Sequence, residues 1–137
     1  MNINNVSVKS IVLILFFFLS VSAQEKKYIL NTVAFYNVEN LFDINDDPNN
    51  GWDEARTPEG EDKWTEKKYS IKLNNLAKVL PIIGSDVTNS HPAIIGLCEV
   101  ENKQVLIDLV STEKMKDLNY GIIHVDSKDW RGIDVAL

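Results

Sequence analysis

Residues 92–102 read PAIIGLCEVEN, and the architecture follows from them. Ala93 to Cys98 is an unbroken apolar run opened by Pro92. A run of that length and composition predicts a short strand covered on both faces. Glu99 stands directly behind it, and Glu101 and Asn102 follow. Asn102 is a helix-capping type, and Val105, Leu106, Leu109 and Val110 behind it recur at helical spacing. The segment therefore reads as strand, polar exit, helix.

Working back, Ile29 to Tyr36 is rich in β-branched and aromatic residues and predicts an earlier strand, with Asn37 to Asp43 as its exit. Between the two strands lies the clearest helix, Thr65 to Leu80. Tyr69, Leu73, Leu76, Leu80 and Ile83 form one apolar stripe, Thr65 is placed to cap it, and Pro81 should end it near Leu80. Downstream, Tyr120 to Val125 and Gly132 to Leu137 predict two further strands. The order of strand, loop, helix, strand, helix, strand, strand is an α/β (α+β) pattern. The last strand stops at Leu137 with nothing behind it, so we expect the chain to be the N-terminal part of a larger domain.

The 137 residues suit one domain at most. Residues 1–23 have the form of an export signal: Lys9, the apolar run Ile11 to Leu19, then small residues up to Ala23. That run is too short to span a bilayer, which needs about 20 residues. The expected mature product is secreted or periplasmic, with no stable membrane insertion. The single cysteine, Cys98, excludes an internal disulfide framework and reads as a small core residue. The formal net charge of −6 argues against charge-driven grip on nucleic acid. Asp43 to Asp62 holds eight acids against one base, Arg56, so the acidity belongs to one polar loop. Asp43, Asn45, Asp47 and Glu54 fall at calcium-loop positions, but Pro48 stands where that loop needs glycine. Trp52, Trp64 and Trp130 share no spacing and read as anchors for loop ends.

Chemistry is expected where the two strand exits meet. In α/β sheets, ligands bind outside the carboxyl ends of strands. If the two strands are parallel neighbours, Asn37 and Glu99 share one rim. An amide oxygen and a carboxylate are hard ligands suited to Mg²⁺ or Mn²⁺. Glu39 and Glu101 lie two residues further along each exit and could support such a site. The same residues could equally cap turns and helices. Arg131 could hold a phosphate oxygen as a donor fork, or be a solvated turn residue. Of the two histidines, His91 precedes the second strand, and His124 lies inside the third as a packed or hydrogen-bonded ring. Neither is placed to orient an attacking water beside Glu99.

At these residues the sequence resembles the endonuclease/exonuclease/phosphatase superfamily. FYNVENLFD at 35–43 resembles its first motif, PAIIGLCEVEN its second, and DWRGIDVAL at 129–137 its next strand. The resemblance runs from about Tyr28 to Leu137 and includes WTEKKYSIKLNNLAKVL. It implies the N-terminal part of a four-layer α-β-β-α sandwich with mixed sheets, and Mg²⁺- or Mn²⁺-dependent hydrolysis of phosphodiester or phosphomonoester bonds. Glu99 would match the metal-binding glutamate, Asn37 the amide supporting the metal and phosphate, and Glu39 an acidic residue found near the metal in some members. Substrates would be phosphate esters such as nucleic acid, a lipid head group or a sugar phosphate, with no obligate protein partner. The family's later catalytic motifs have no counterpart here, so the chain is expected to be inactive alone. The alternative is a secreted binding module that kept the fold and lost the catalysis. Half of a two-sheet sandwich would also leave a sheet face bare, so the isolated chain is expected to be marginal or to associate.

Overall fold

The structure is a computed structural model and describes residues 26–137. The export signal expected at 1–23 lies outside the described residues. Among these, no helix is long and apolar enough to cross a membrane.

Four strands form one mixed sheet: β1 (Val33–Leu41), β2 (Ile94–Val100), β3 (His124–Val125) and β4 (Asp134–Ala136). Their spatial order is β1-β2-β4-β3. β1 and β2 are parallel neighbours, whereas β4 runs antiparallel to both β2 and β3. The parallel pair is joined through α1 (Glu66–Val79), the short turn α2 (Ser85–Thr88) and the connections around them. A parallel pair needs such a crossover, because a hairpin cannot reverse the chain twice. α3 (Lys103–Val110) follows β2.

Several expected boundaries shift, among them that of the second strand, which runs on to Val100 so that Glu99 lies inside it rather than directly behind it. The first strand begins at Val33, four residues later than expected, and runs on to Leu41, so Asn37 lies inside it. Tyr28, Ile29 and Leu30 stay exposed and outside the sheet. The third strand shrinks to His124–Val125, although Ile123 and Leu137 extend the ladder by two reciprocal backbone hydrogen bonds. Helix ends fall where the sequence signals put them, although Thr65 stands at the N-cap of α1 without a capping hydrogen bond from its side chain. Pro81 falls in a 3-10 turn, Leu80–Ile82, directly after α1. Asn102 Oδ1 accepts from Val105 N at 3.1 Å and caps α3.

The core lies on one face of the sheet. Ala34, Val38, Ile95, Leu97 and Ala136 from the strands meet Tyr69, Leu73, Leu76 and Ala77 of α1 and Val105, Leu106 and Leu109 of α3. The other face is bare among the described residues. Val33 and Phe35 of β1, Ile94 of β2 and Val135 and Leu137 at β4 point that way and are exposed, Phe35 by 74%. This corrects the reading of β2 as covered on both faces. Its continuous apolar run reflects one face packed on helices and another that is apolar yet uncovered. Phe35 lies over Gly96, where a Cβ would meet its ring at 2.7 Å.

A contiguous apolar patch of this kind promotes association. Sedimentation velocity should show the average mass of the chain rising with concentration, and Phe35→Lys should suppress that rise. A strictly monomeric unmodified chain at high concentration would contradict the expectation.

Candidate metal and phosphate site

The site is built by two irregularities that face each other at the carboxyl ends of β1 and β2. Asn37 pairs with Cys98 and Leu41 with Val100, so three residues of β1 oppose the single residue Glu99. On the other side, Cys98 pairs with Val135 and Val100 with Asp134, so Glu99 is the odd residue against β4 as well. β-bulges of this type re-aim side chains and are frequent beside active sites. Glu39, Asn40 and Glu99 all have positive φ, at 54°, 60° and 64°. Asparagine tolerates that region, but for glutamate it costs roughly 1–2 kcal/mol per residue. Two strained glutamates side by side mark a place where geometry was kept at the expense of stability.

The bulges deliver the Glu99 carboxylate into a fixed cradle. Asn37 Nδ2 donates to Glu99 Oε1 at 2.9 Å. The backbone N–H of Asn40 donates to Glu99 Oε2 at 3.1 Å. Asn37 is itself oriented, because its Oδ1 accepts from Glu39 N at 2.6 Å. Asn37 and Glu99 are thus brought together, and the amide supports the carboxylate through its nitrogen. Each Glu99 oxygen accepts one of these bonds and retains lone-pair capacity for a cation. The Glu39 side chain is exposed at the same rim.

Lys72 lies in no sequence motif, yet it borders this site. Its Nζ donates to the carbonyls of Glu39 and Asn40 and so clamps the β1 bulge from α1. Burial lowers its pKa, opposed by the charges of Glu39 and Glu99. It borders a groove of about 410 Å³ with Tyr36, Asn37, Trp64 and Lys68. Its only sequence signal is position: Lys72 stands one residue before Leu73, on the flank of the buried stripe.

Glu101 sits behind the rim. Its Oε2 accepts from Asp43 N at 2.7 Å, which ties the start of the acidic loop to the exit of β2. Burial pushes its carboxyl up to about 8, with the nearby charge of Asp43 adding to the shift. Arg131 is partly committed. Its Nε and Nη2 donate to Asp129 at 3.0 and 2.8 Å. That pair holds the Asp129 carboxyl down at about 2. The charge of Glu99 reaches Arg131 and contributes to raising its pKa, after the hydrogen bond to Asp129. Cys98 is half-buried and its thiol is pushed up by burial and then by Glu99, which is a poor setting for a nucleophile.

The acidic loop spends its polar groups on itself. Asp43, Asp47 and Asn50 accept from the backbone two residues on, and Asp47 N donates to Asp53 Oδ2 at 2.8 Å. Asp53 is buried rather than solvated, and burial raises its pKa. Trp52 meets Trp130 edge-on at 4.9 Å, which pins this loop to the turn before β4. Trp64 Nε1 donates to the Phe42 carbonyl at 3.0 Å. Neither histidine is hydrogen-bonded to Glu99: His91 packs on Tyr120, and His124 lies against Asp126 and Asp134.

A family model described as Endonuclease/Exonuclease/phosphatase family matches residues 32–137. No curated protein and no solved structure matches.

Proposed function

The chain belongs to the endonuclease/exonuclease/phosphatase family, and from that premise we propose that it is the metal-binding part of a divalent-metal-dependent phosphoesterase. Membership of this family suggests a nuclease- or phosphatase-type hydrolase acting on ester bonds. The single observation that carries the finer reading is the Asn37–Glu99 cradle. A carboxylate gripped by an amide and a backbone N–H at adjacent bulges is pre-oriented, with hard oxygen donors turned to the rim. That donor set fits Mg²⁺ or Mn²⁺, with Glu99 as ligand, Asn37 as its support and Glu39 beside it.

A bound divalent ion would polarise a phosphoryl oxygen and offset charge on the leaving group. The residues of the chain do the remaining work. Asn37 and the Asn40 N–H keep Glu99 from rotating. Lys72 holds the bulge and, with Lys68, lends positive potential to the groove beside it. Arg131, held by Asp129, would present a guanidinium edge to a phosphate oxygen. Substrates of this chemistry are phosphate esters of nucleic acids, lipid head groups or sugars.

Two associated readings go with this one. The bare sheet face supports a four-layer sandwich, since a second sheet seated there would bury Phe35, Val33 and Ile94. The pattern at 1–23 supports export to the periplasm or beyond.

The supporting role of Asn37 is tested by Asn37→Ala. Mn²⁺ affinity, read by electron paramagnetic resonance, should fall about 10- to 100-fold, the usual effect of deleting a group that orients a metal ligand. Unchanged affinity would remove the cradle from the account. A second expectation concerns turnover. With no histidine hydrogen-bonded to Glu99, the isolated chain should not hydrolyse bis(p-nitrophenyl) phosphate in Mn²⁺, and metal-dependent turnover would contradict this.

A further inference from the structure

A second constellation lies on the other half of the sheet. His124 pairs across β3 and β4 with Ala136, and Val125 with Val135. Asp126 lies two residues beyond His124, and Asp134 is diagonal to it on the facing strand. The alternation of strands therefore gathers these three side chains on one face. His124, Asp126 and Asp134 each offer one ligand atom, and these atoms lie within 4.8 Å of one another.

The histidine itself points to a ligand. Its side chain is nine-tenths buried, with a relative exposure of 10%, and Asp134 is almost as enclosed at 11%. Nε2 lies 2.9 Å from Asp134 Oδ2, yet in an orientation that makes no hydrogen bond, and it has no other partner. Nδ1 is 3.5 Å from Asp126 Oδ1. A buried imidazole nitrogen facing a buried carboxylate oxygen at this distance is poised to share a cation with it. Asp134 is held from behind, since its Oδ1 accepts from Ser127 N at 2.6 Å, which leaves Oδ2 turned to the ring. Asp126 is 91% exposed and can adjust its position without disturbing the core.

We propose that His124, Asp126 and Asp134 form a binding site for a transition-metal dication of the Zn²⁺ class, separate from the hard-ion site at Glu99. One imidazole and two carboxylates supply a nitrogen and two oxygens, a borderline donor set that suits Zn²⁺ rather than Mg²⁺. Ligand atoms on one Zn²⁺ stand roughly 3–3.5 Å apart, which the 2.9 Å approach of Nε2 and Oδ2 nearly meets already. Two carboxylates and a neutral imidazole also balance the charge of the ion. Its role is structural: it ties the two-residue edge strand β3 to β4.

The test uses the whole chain and Zn²⁺ alone as probe, in excess Mg²⁺. Titration calorimetry should give one Zn²⁺ per chain, and the ring resonances of His124, but not His91, should move at stoichiometric metal. Asp126→Asn, at an exposed position that leaves the fold intact, should weaken Zn²⁺ at least tenfold. Glu99→Gln should leave it unchanged. Unmoved His124 resonances, or an Asp126→Asn chain that binds Zn²⁺ as tightly as the unmodified one, would overturn the proposal.

Discussion

Glu99→Gln should cost the chain its affinity for Mn²⁺ by more than about 100-fold, beyond the effect of deleting a group that merely supports a ligand. The substitution removes the negative charge and leaves the shape. It also breaks the cradle from within. In the structure both carboxylate oxygens accept, one from Asn37 Nδ2 and the other from Asn40 N. Glutamine offers one acceptor and one donor, so whichever way it turns, two donors face each other. The loss is thus electrostatic and geometric at once. Calorimetric titration with Mn²⁺ measures it, with thermal melting alongside to establish that the variant is folded. A folded Glu99→Gln chain that keeps its Mn²⁺ would place the ion elsewhere.

Leu41→Ala should be the most damaging single change to stability. Leu41 is fully buried, pairs with Val100 where the β1 bulge closes, and accepts from Glu101 N at 3.1 Å through its carbonyl. Truncating such a leucine costs about 2–5 kcal/mol, because the cavity it leaves collapses only in part. At about 4–8 °C per kcal/mol for a domain of this size, the melting temperature should fall by more than about 10 °C. Ile71→Ala, on the outer side of α1, is the control. That side chain is half-exposed, and its loss should shift the transition little. Leu41 also anchors the end of the bulge, so any folded Leu41→Ala population should bind Mn²⁺ more weakly. Equal melting temperatures for the two variants would show that the bulge is not packed as described.

Much of this was readable in the residues. The 3.6-residue recurrence of Tyr69, Leu73, Leu76 and Leu80 located α1, because a helix must bury one stripe. Asn102 announced α3, because its side chain replaces a missing backbone partner. Asn37 and Glu99 were found through a rule about strand ends, and they do meet. The means by which they meet was not legible. A bulge leaves no mark in hydrophobic patterning when it falls among polar residues, and the left-handed backbone of Glu39 and Glu99 runs against the preference of glutamate. Ile29 and Leu30 have the composition of strand residues, but pairing with Ile94 begins only at Val33. The roles of Lys72 and Asp134 are hidden in the sequence for a related reason. Each is a charged residue whose neighbour across the fold, not along the chain, gives it a task.

In the proposed function, the paired bulges at Glu99 and Asn37 hold a hard divalent ion. Crystals of the chain grown in Mn²⁺ test it most directly, through the anomalous scattering of the metal. An anomalous peak is expected within coordination distance of the Glu99 carboxylate, at the rim shared with Asn37 and Glu39. A peak confined to the acidic loop at 43–62, or none at all at millimolar Mn²⁺, would contradict it.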